Sequence, residues 1–259
     1  MLKFSKANAK IRALATVPGI IPYLQDKRKV YSFDLLSGHA CPYAKDCLSK
    51  AVEKTDGSRT IKDGKDTQFR CFSASQEVLY TNLYNLRKAN TEILSVASRD
   101  GYSIAASQLL AAIPRNAGVI RIHVGGDFNT SNYFQAWLEV AKRRPDLLVY
   151  AYTKSLPFVV KHQRIVDSLP NFVLTASYGG KRDELIEKHG LRYVKVVKSV
   201  AEANRLGLPI DHDDSHAADP TMKGVNFALL IHGIQPAGSE WQAAVKALNG
   251  EGSYHRNQK

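Results

Sequence analysis

From residue 119 onward the chain keeps repeating one pattern, and that pattern limits the folds open to it. A short apolar run stops at a polar or glycine-bearing break, and a stretch with helical spacing follows. Val119–Val124 stops at Gly125-Gly126-Asp127-Phe128, and Leu147–Ala151 at Tyr152-Thr153-Lys154-Ser155. Phe172–Ala176 stops at Ser177-Tyr178-Gly179-Gly180, Tyr193–Val197 leads into a helical stretch at 200–206, and Phe227–Ile231 stops at His232-Gly233. One earlier run, Val30–Leu36, stops at Ser37-Gly38. Strands that are apolar on both faces and alternate with helices make a parallel sheet, joined by right-handed crossovers. The fold class expected is α/β, as a partial (βα)6 TIM-like barrel, with an open doubly wound sheet as the alternative. Both architectures put chemistry beyond the C-terminal ends of the strands.

The connecting segments divide the chain further. Ser73–Lys88, 91–98 and 103–113 read as helices, the last with Ile104, Leu109, Leu110 and Ile113 as its apolar face. Asn129-Thr130-Ser131 opens a helix in which Phe134, Trp137, Leu138 and Ala141 recur at helical spacing, with Arg143 and Arg144 in the last turn. Further helices are expected from Pro157, over 181–188 and over 239–248. Residues 37–72 read as a long loop, with 56–64 as an exposed polar excursion. A chain of 259 residues suffices for one large domain. The expected organisation is a single domain over 1–259. It has a basic N-terminal extension (1–29, a short helix and a proline-broken connection), a barrel (30–237) and a C-terminal helix and tail (238–259).

The formal charge is +12 at pH 7. That excess suits nucleic acid or another acidic partner, and equally suits simple solubility. It is dense near the start, where Lys3, Lys6, Lys10, Arg12, Lys27, Arg28 and Lys29 face only Asp26. No apolar run approaches the ~20 residues that span a bilayer. Pro18, Gly19 and Pro22 break the N-terminal apolar stretch, and no signal-cleavage pattern follows. The expectation is a cytoplasmic protein without a membrane partner.

Cys41 and Cys47 lie in the loop after the first strand, and Cys71 follows some two dozen residues later. An odd number of cysteines cannot all pair within the chain, and in a reducing compartment a group of them points to metal binding or catalysis. Thiolates suit both zinc and iron–sulfur clusters. A structural zinc site wants four protein ligands, which would recruit a group such as His39. A cluster held by three thiolates leaves one iron open. Three unrelated buried thiols is the remaining reading.

The polar groups past the other strands form the rest of the candidate site. Gly125 and Gly126 would let a ligand approach the backbone, and Asp127 would accept hydrogen bonds from an amine or hydroxyl; a tight turn with Asp127 as helix cap is the plainer account. Thr153, Lys154, Ser155, Ser177, Tyr178, His232 and Gln235 occupy equivalent positions. His212, Asp213, Asp214 and His216 are the densest titratable stretch, suited to a second metal or to acid–base chemistry, or to a solvated loop.

Two resemblances rest on these residues. Cys41–Cys47, Thr67–Cys71, His123–Phe128, Ala151–Ser155, Leu174–Gly180, Ile210–His216 and Ile231–Gly238 resemble the phage-associated family called gene product eighty-eight, over nearly the whole chain. For a phage-encoded chain this implies the host cytoplasm. The strand, cysteine loop, helix, strand and Gly-Gly-acid order more distantly resembles the radical S-adenosylmethionine superfamily. That resemblance implies a [4Fe–4S] cluster on Cys41, Cys47 and Cys71, and S-adenosylmethionine held near Gly125, Gly126 and Asp127. The superfamily's usual C-x3-C-x2-C spacing and its Gly-Gly-Glu are replaced here by widely spaced cysteines and Gly-Gly-Asp. The functions expected are a radical S-adenosylmethionine-type enzyme of unknown substrate, a non-enzymatic iron–sulfur protein binding nucleic acid or another macromolecule, and, third, a zinc-dependent hydrolase.

Overall fold

β-Branched and aliphatic runs set the sheet. The computed structural model describes residues 1–7 and 12–250. Six strands run parallel in chain order: β2 (Lys29–Phe33), β5 (Ala117–Ile122), β6 (Leu148–Thr153), β7 (Phe172–Ser177), β8 (Tyr193–Val197) and β9 (Phe227–Leu230). A two-residue strand, β1 (Ser5–Lys6), joins the β2 edge antiparallel. The strand order never reverses along the sheet, so the doubly wound alternative, which requires a reversal, does not apply. The edges β1 and β9 do not pair among the described residues, so the sheet is not a closed barrel.

The sheet is nevertheless rolled. Tyr152 on β6 and Phe227 on β9 have ring centroids 6.2 Å apart, although two strands intervene. Strands of a flat sheet spaced by ~4.8 Å would hold them ~14 Å apart. α1 (Phe72–Leu79) lies against α2 (Thr81–Arg99) and residues 49–63. The outer face of the sheet packs against α2, α3 (Tyr102–Ala112), α4 (Ser131–Arg143) and α5 (Leu156–Ser168), with Trp137, Phe134 and Phe33 in that core. Thr130 caps α4 by accepting from the Tyr133 amide. α6 (Glu184–Lys188), α7 (Val200–Arg205), α8 (Ser215–Ala218) and α9 (Glu240–Ala247) follow. The inner face is apolar at the N-terminal ends of the strands, where Val30, Val119, Leu148 and Val173 meet Leu14 and Ile20.

Several expectations are corrected. The short helix expected before Pro18 falls largely on residues 8–11, outside the described residues, and Arg12 just after them is helical. The described part of 1–29 is not a free basic arm. β1 pairs with the sheet, short 3-10 turns carry Leu14 inward, and the Arg28 guanidinium donates to the Ala117 carbonyl at 2.6 Å and to Asp146 at 2.5 Å. Lys10 and the tail 251–259 lie outside the described residues. The polar excursion within 37–72 is a hairpin, β3 (Ser49–Glu53) with β4 (Arg59–Asp63), closed where the Lys54 amide bonds to the Ser58 carbonyl. The first helical stretch breaks at Tyr80, in extended conformation, rather than near residue 89.

Candidate functional site

The strands end around one cavity of about 170 Å³. Its lining includes Cys41, Cys47 and Cys71, the Gly125-Gly126-Asp127 turn, and the inward side chains of β5 and β6. Two chain segments bring the thiols together. The segment after β2 carries Cys41 and Cys47; Cys71 sits at the N-terminus of α1, with its φ and ψ extended as a cap residue requires. The Cys41 sulfur accepts from the Gly38 amide at 3.2 Å. All three thiols are free and half-buried.

Their electrostatics favour the protonated form in the bare protein. Burial, then Asp127, then the other two cysteines push the Cys41 thiol well up. Burial followed by Cys47 pushes Cys71 up to about 11. Cys47 is raised by burial and partly relieved by Lys154. A bound cation inverts this balance, because thiolate coordination outweighs the repulsion that protonation relieves.

A buried ionic frame holds the two segments together. Glu77 of α1 accepts from the Ser37 amide at 3.0 Å, the Ser37 hydroxyl at 2.8 Å and the Arg87 guanidinium at 2.8 Å. Arg87, 1% exposed, also donates to the Ser73 hydroxyl at 2.7 Å and lies 3.8 Å from Asp34. Asp34 accepts from the Val124 and Gly125 amides at 2.6 and 3.2 Å. The cysteine segment, α1 and the glycine turn are thus cross-braced.

Both glycines of that turn answer to neighbours in the chain. A Cβ on Gly125 would meet the Ser73 hydroxyl at 2.4 Å and Arg87 at 2.7 Å. Gly126 has φ +88° and faces Leu35. Asp127 accepts from the Phe128 amide (2.7 Å), the Thr153 hydroxyl (2.6 Å) and the Lys154 amide (2.9 Å). Burial raises its pKa, and those hydrogen bonds oppose the rise. Three of a carboxylate's roughly four acceptor positions are occupied, so room for one ligand donor remains.

The predicted pocket residues divide. Thr153, Lys154, Ser177, Asp214 and His232 line the cavity. The Lys154 ammonium donates to the Ser177 hydroxyl at 2.5 Å and the Tyr178 carbonyl at 2.8 Å. Ser155 is buried and turned away, its hydroxyl on the Phe128 carbonyl at 2.7 Å. Tyr178 sits outside the cavity, under the Lys195 ammonium at 4.2 Å. Gln235 instead ties the cysteine segment to the last strand's loop, accepting from the Arg70 amide at 2.8 Å.

The stretch from His212 to His216 does not act as a unit. His212 is exposed. Asp213 accepts from the Ser215 amide at 3.0 Å, and His216 lies 3.7 Å from Asp211. Only Asp214 enters the cavity, paired with Arg121 and accepting from the Tyr150 and Tyr152 hydroxyls at 3.0 and 3.2 Å. Among the described residues no three His, Cys, Asp or Glu side chains are grouped to hold a metal ion. That corrects the expected second metal site. The thiols share a cavity without forming a ready ligand triad, so iron–sulfur binding is no finding of the fold.

Arg121 and His123 line the cavity as well, and sequence reasoning passed over them. The signal was present: Val119-Ile120-Arg121-Ile122-His123, which runs through β5 and one residue past it, has polar residues at alternate positions, the pattern of a half-polar strand rather than one apolar on both faces. His123 has φ +67°, and burial followed by Arg87 and Arg121 holds its ring down to about 3.

The fold and this cavity define an α/β protein with a cysteine-lined recess at the ends of parallel strands. The family model described as gene product 88 matches residues 2–248, and the chain belongs to that family. No curated protein and no solved structure matches the chain, so the radical S-adenosylmethionine resemblance gains no support from either. No helix among the described residues is long and apolar enough to cross a membrane.

Proposed function

We propose that Cys41, Cys47 and Cys71 hold an iron–sulfur cluster at the mouth of the cavity, in an enzyme of the radical S-adenosylmethionine type. The observation that carries this reading is that three free thiols from two separate segments line one cavity at the C-terminal ends of the strands, beside Gly125-Gly126-Asp127. The donor set fits. A single zinc ion bonds each sulfur at ~2.3 Å and needs its ligands tightly grouped, whereas a cluster spreads its thiolates over different irons and tolerates wider separation. Three soft thiolate donors suit iron–sulfur chemistry.

The chain's own residues would do the remaining work. The Gly38 amide stabilises the Cys41 thiolate, and the Lys154 ammonium offsets charge at Cys47. Asp127, with an acceptor position to spare, would orient a ligand amine at the cavity wall. When bound, the cluster supplies one-electron reduction of S-adenosylmethionine. The test is anaerobic protein given S-adenosylmethionine and a reductant. Release of 5′-deoxyadenosine supports the reading; iron-loaded protein that releases none restricts the cluster to a structural or electron-transfer role.

A further inference from the structure

The inner end of the cavity contains an ion pair that the proposed cluster does not use. Arg121 projects from β5, and Asp214 arrives from a loop ninety-three residues later in the chain. Tyr150 and Tyr152 of β6 both donate to that carboxylate, and the Arg121 guanidinium carbon lies 5.3 Å from the Tyr152 ring centroid. Burying an ion pair gives little net stability compared with apolar side chains of similar volume. Earlier along these strands the same face is apolar, with Val119, Leu148 and Val173. The polar floor therefore begins where the cavity begins, and recognition accounts for it better than folding does.

Three properties define what it would recognise. On the floor the Arg121 guanidinium is paired with the Asp214 carboxylate, so the floor is electrically balanced and favours an uncharged group. Rings border the space: Tyr152, Phe72 and His232, the last two with centroids 4.7 Å apart. The cavity, about 170 Å³, is of the size that admits one six-membered ring, since a cavity of about 150 Å³ takes benzene. A guanidinium beside a carboxylate sets donors next to acceptors, the complement of an amide-like edge. We propose that this floor binds an uncharged planar heterocycle of pyrimidine size, with Arg121 and Asp214 reading its polar edge and Tyr152 stacking on its face. The inference goes beyond the cluster and does not require it.

The test uses the full chain, with and without prior iron chelation. Uracil, toluene and orotate are titrated by calorimetry and by saturation-transfer NMR. Uracil is expected to saturate, with toluene and orotate at least tenfold weaker. Arg121→Met should weaken uracil about tenfold or more, the scale of a hydrogen bond to a charged group. Tyr152→Leu removes the stacking ring and should weaken uracil about fivefold or more, the scale of a base stacked on an aromatic side chain. If Arg121→Met does not fold, the ligand ranking and Tyr152→Leu decide. Toluene or orotate binding as well as uracil, or unchanged uracil affinity in a folded Arg121→Met or in Tyr152→Leu, would overturn the proposal. Uracil binding to protein that takes up no iron would leave it standing while removing the cluster.

Discussion

Replacing Arg87 with methionine should be among the most damaging single changes in this chain. The guanidinium is 1% exposed and is the cation that joins Glu77 at 2.8 Å and Asp34 at 3.8 Å. The two carboxylates do not suffer equally. Asp34 keeps the Val124 and Gly125 amides, and its separation from Arg87 is beyond hydrogen-bond reach. Glu77 keeps only its Ser37 contacts and loses a charge partner in a site with no exposure. Removing one partner of a buried ion pair costs about 3–5 kcal/mol, a large part of a typical total of about 5–15 kcal/mol. Urea unfolding followed by circular dichroism would read this as a lower midpoint with an unchanged slope. The double variant Arg87→Met/Glu77→Gln should recover about 1 kcal/mol or more relative to the sum of the single changes. Arg87→Lys should fall between, keeping charge without the planar fork. A loss below about 1 kcal/mol, or strict additivity in the double variant, would refute the reasoning.

Further outcomes follow from the same contacts. Gly126→Ala, at φ +88° and with its Cβ 2.7 Å from that of Leu35, should cost more than Gly57→Ala, which has φ +78° and open space and should cost about 1–2 kcal/mol; thermal unfolding compares them. The His123 ring is held down to about 3, so its NMR resonances should stay flat between about pH 8 and pH 5. Because that pKa is depressed, the ring's share of stability is complete above its ordinary value and is lost as pH falls toward 3. Asp146 is held below the usual carboxylate range by Arg144 first and by Arg28 as well. Its contribution is therefore present at neutral pH and lost in acid, and the stability gap between the parent chain and Asp146→Asn should narrow as pH falls below about 4.

Much of the sheet was legible because buried parallel strands leave compact apolar runs. Tyr193–Val197 falls on its strand as expected, and the other runs differ from theirs by one to three residues at an end. The hairpin was missed because its strands are short and half-polar, yet Asp56-Gly57 between them is a common hairpin signal. The break at Tyr80 has no glycine or proline to announce it; tertiary packing sets it. At the site, thiols are legible by residue type alone. The density of titratable residues over 212–216 misled, because adjacency in sequence sends alternate side chains to different places: Asp214 to the cavity, His216 toward Asp211, His212 to solvent. Arg121 was overlooked because its strand was read for hydrophobicity rather than for its exceptions.

The central claim is that three thiols hold iron. Protein made without oxygen should be coloured, carry iron and sulfide in equal amounts, and lose both when any of Cys41, Cys47 or Cys71 becomes serine while the fold is retained. Colourless protein free of iron, or iron unchanged in those folded variants, would contradict it.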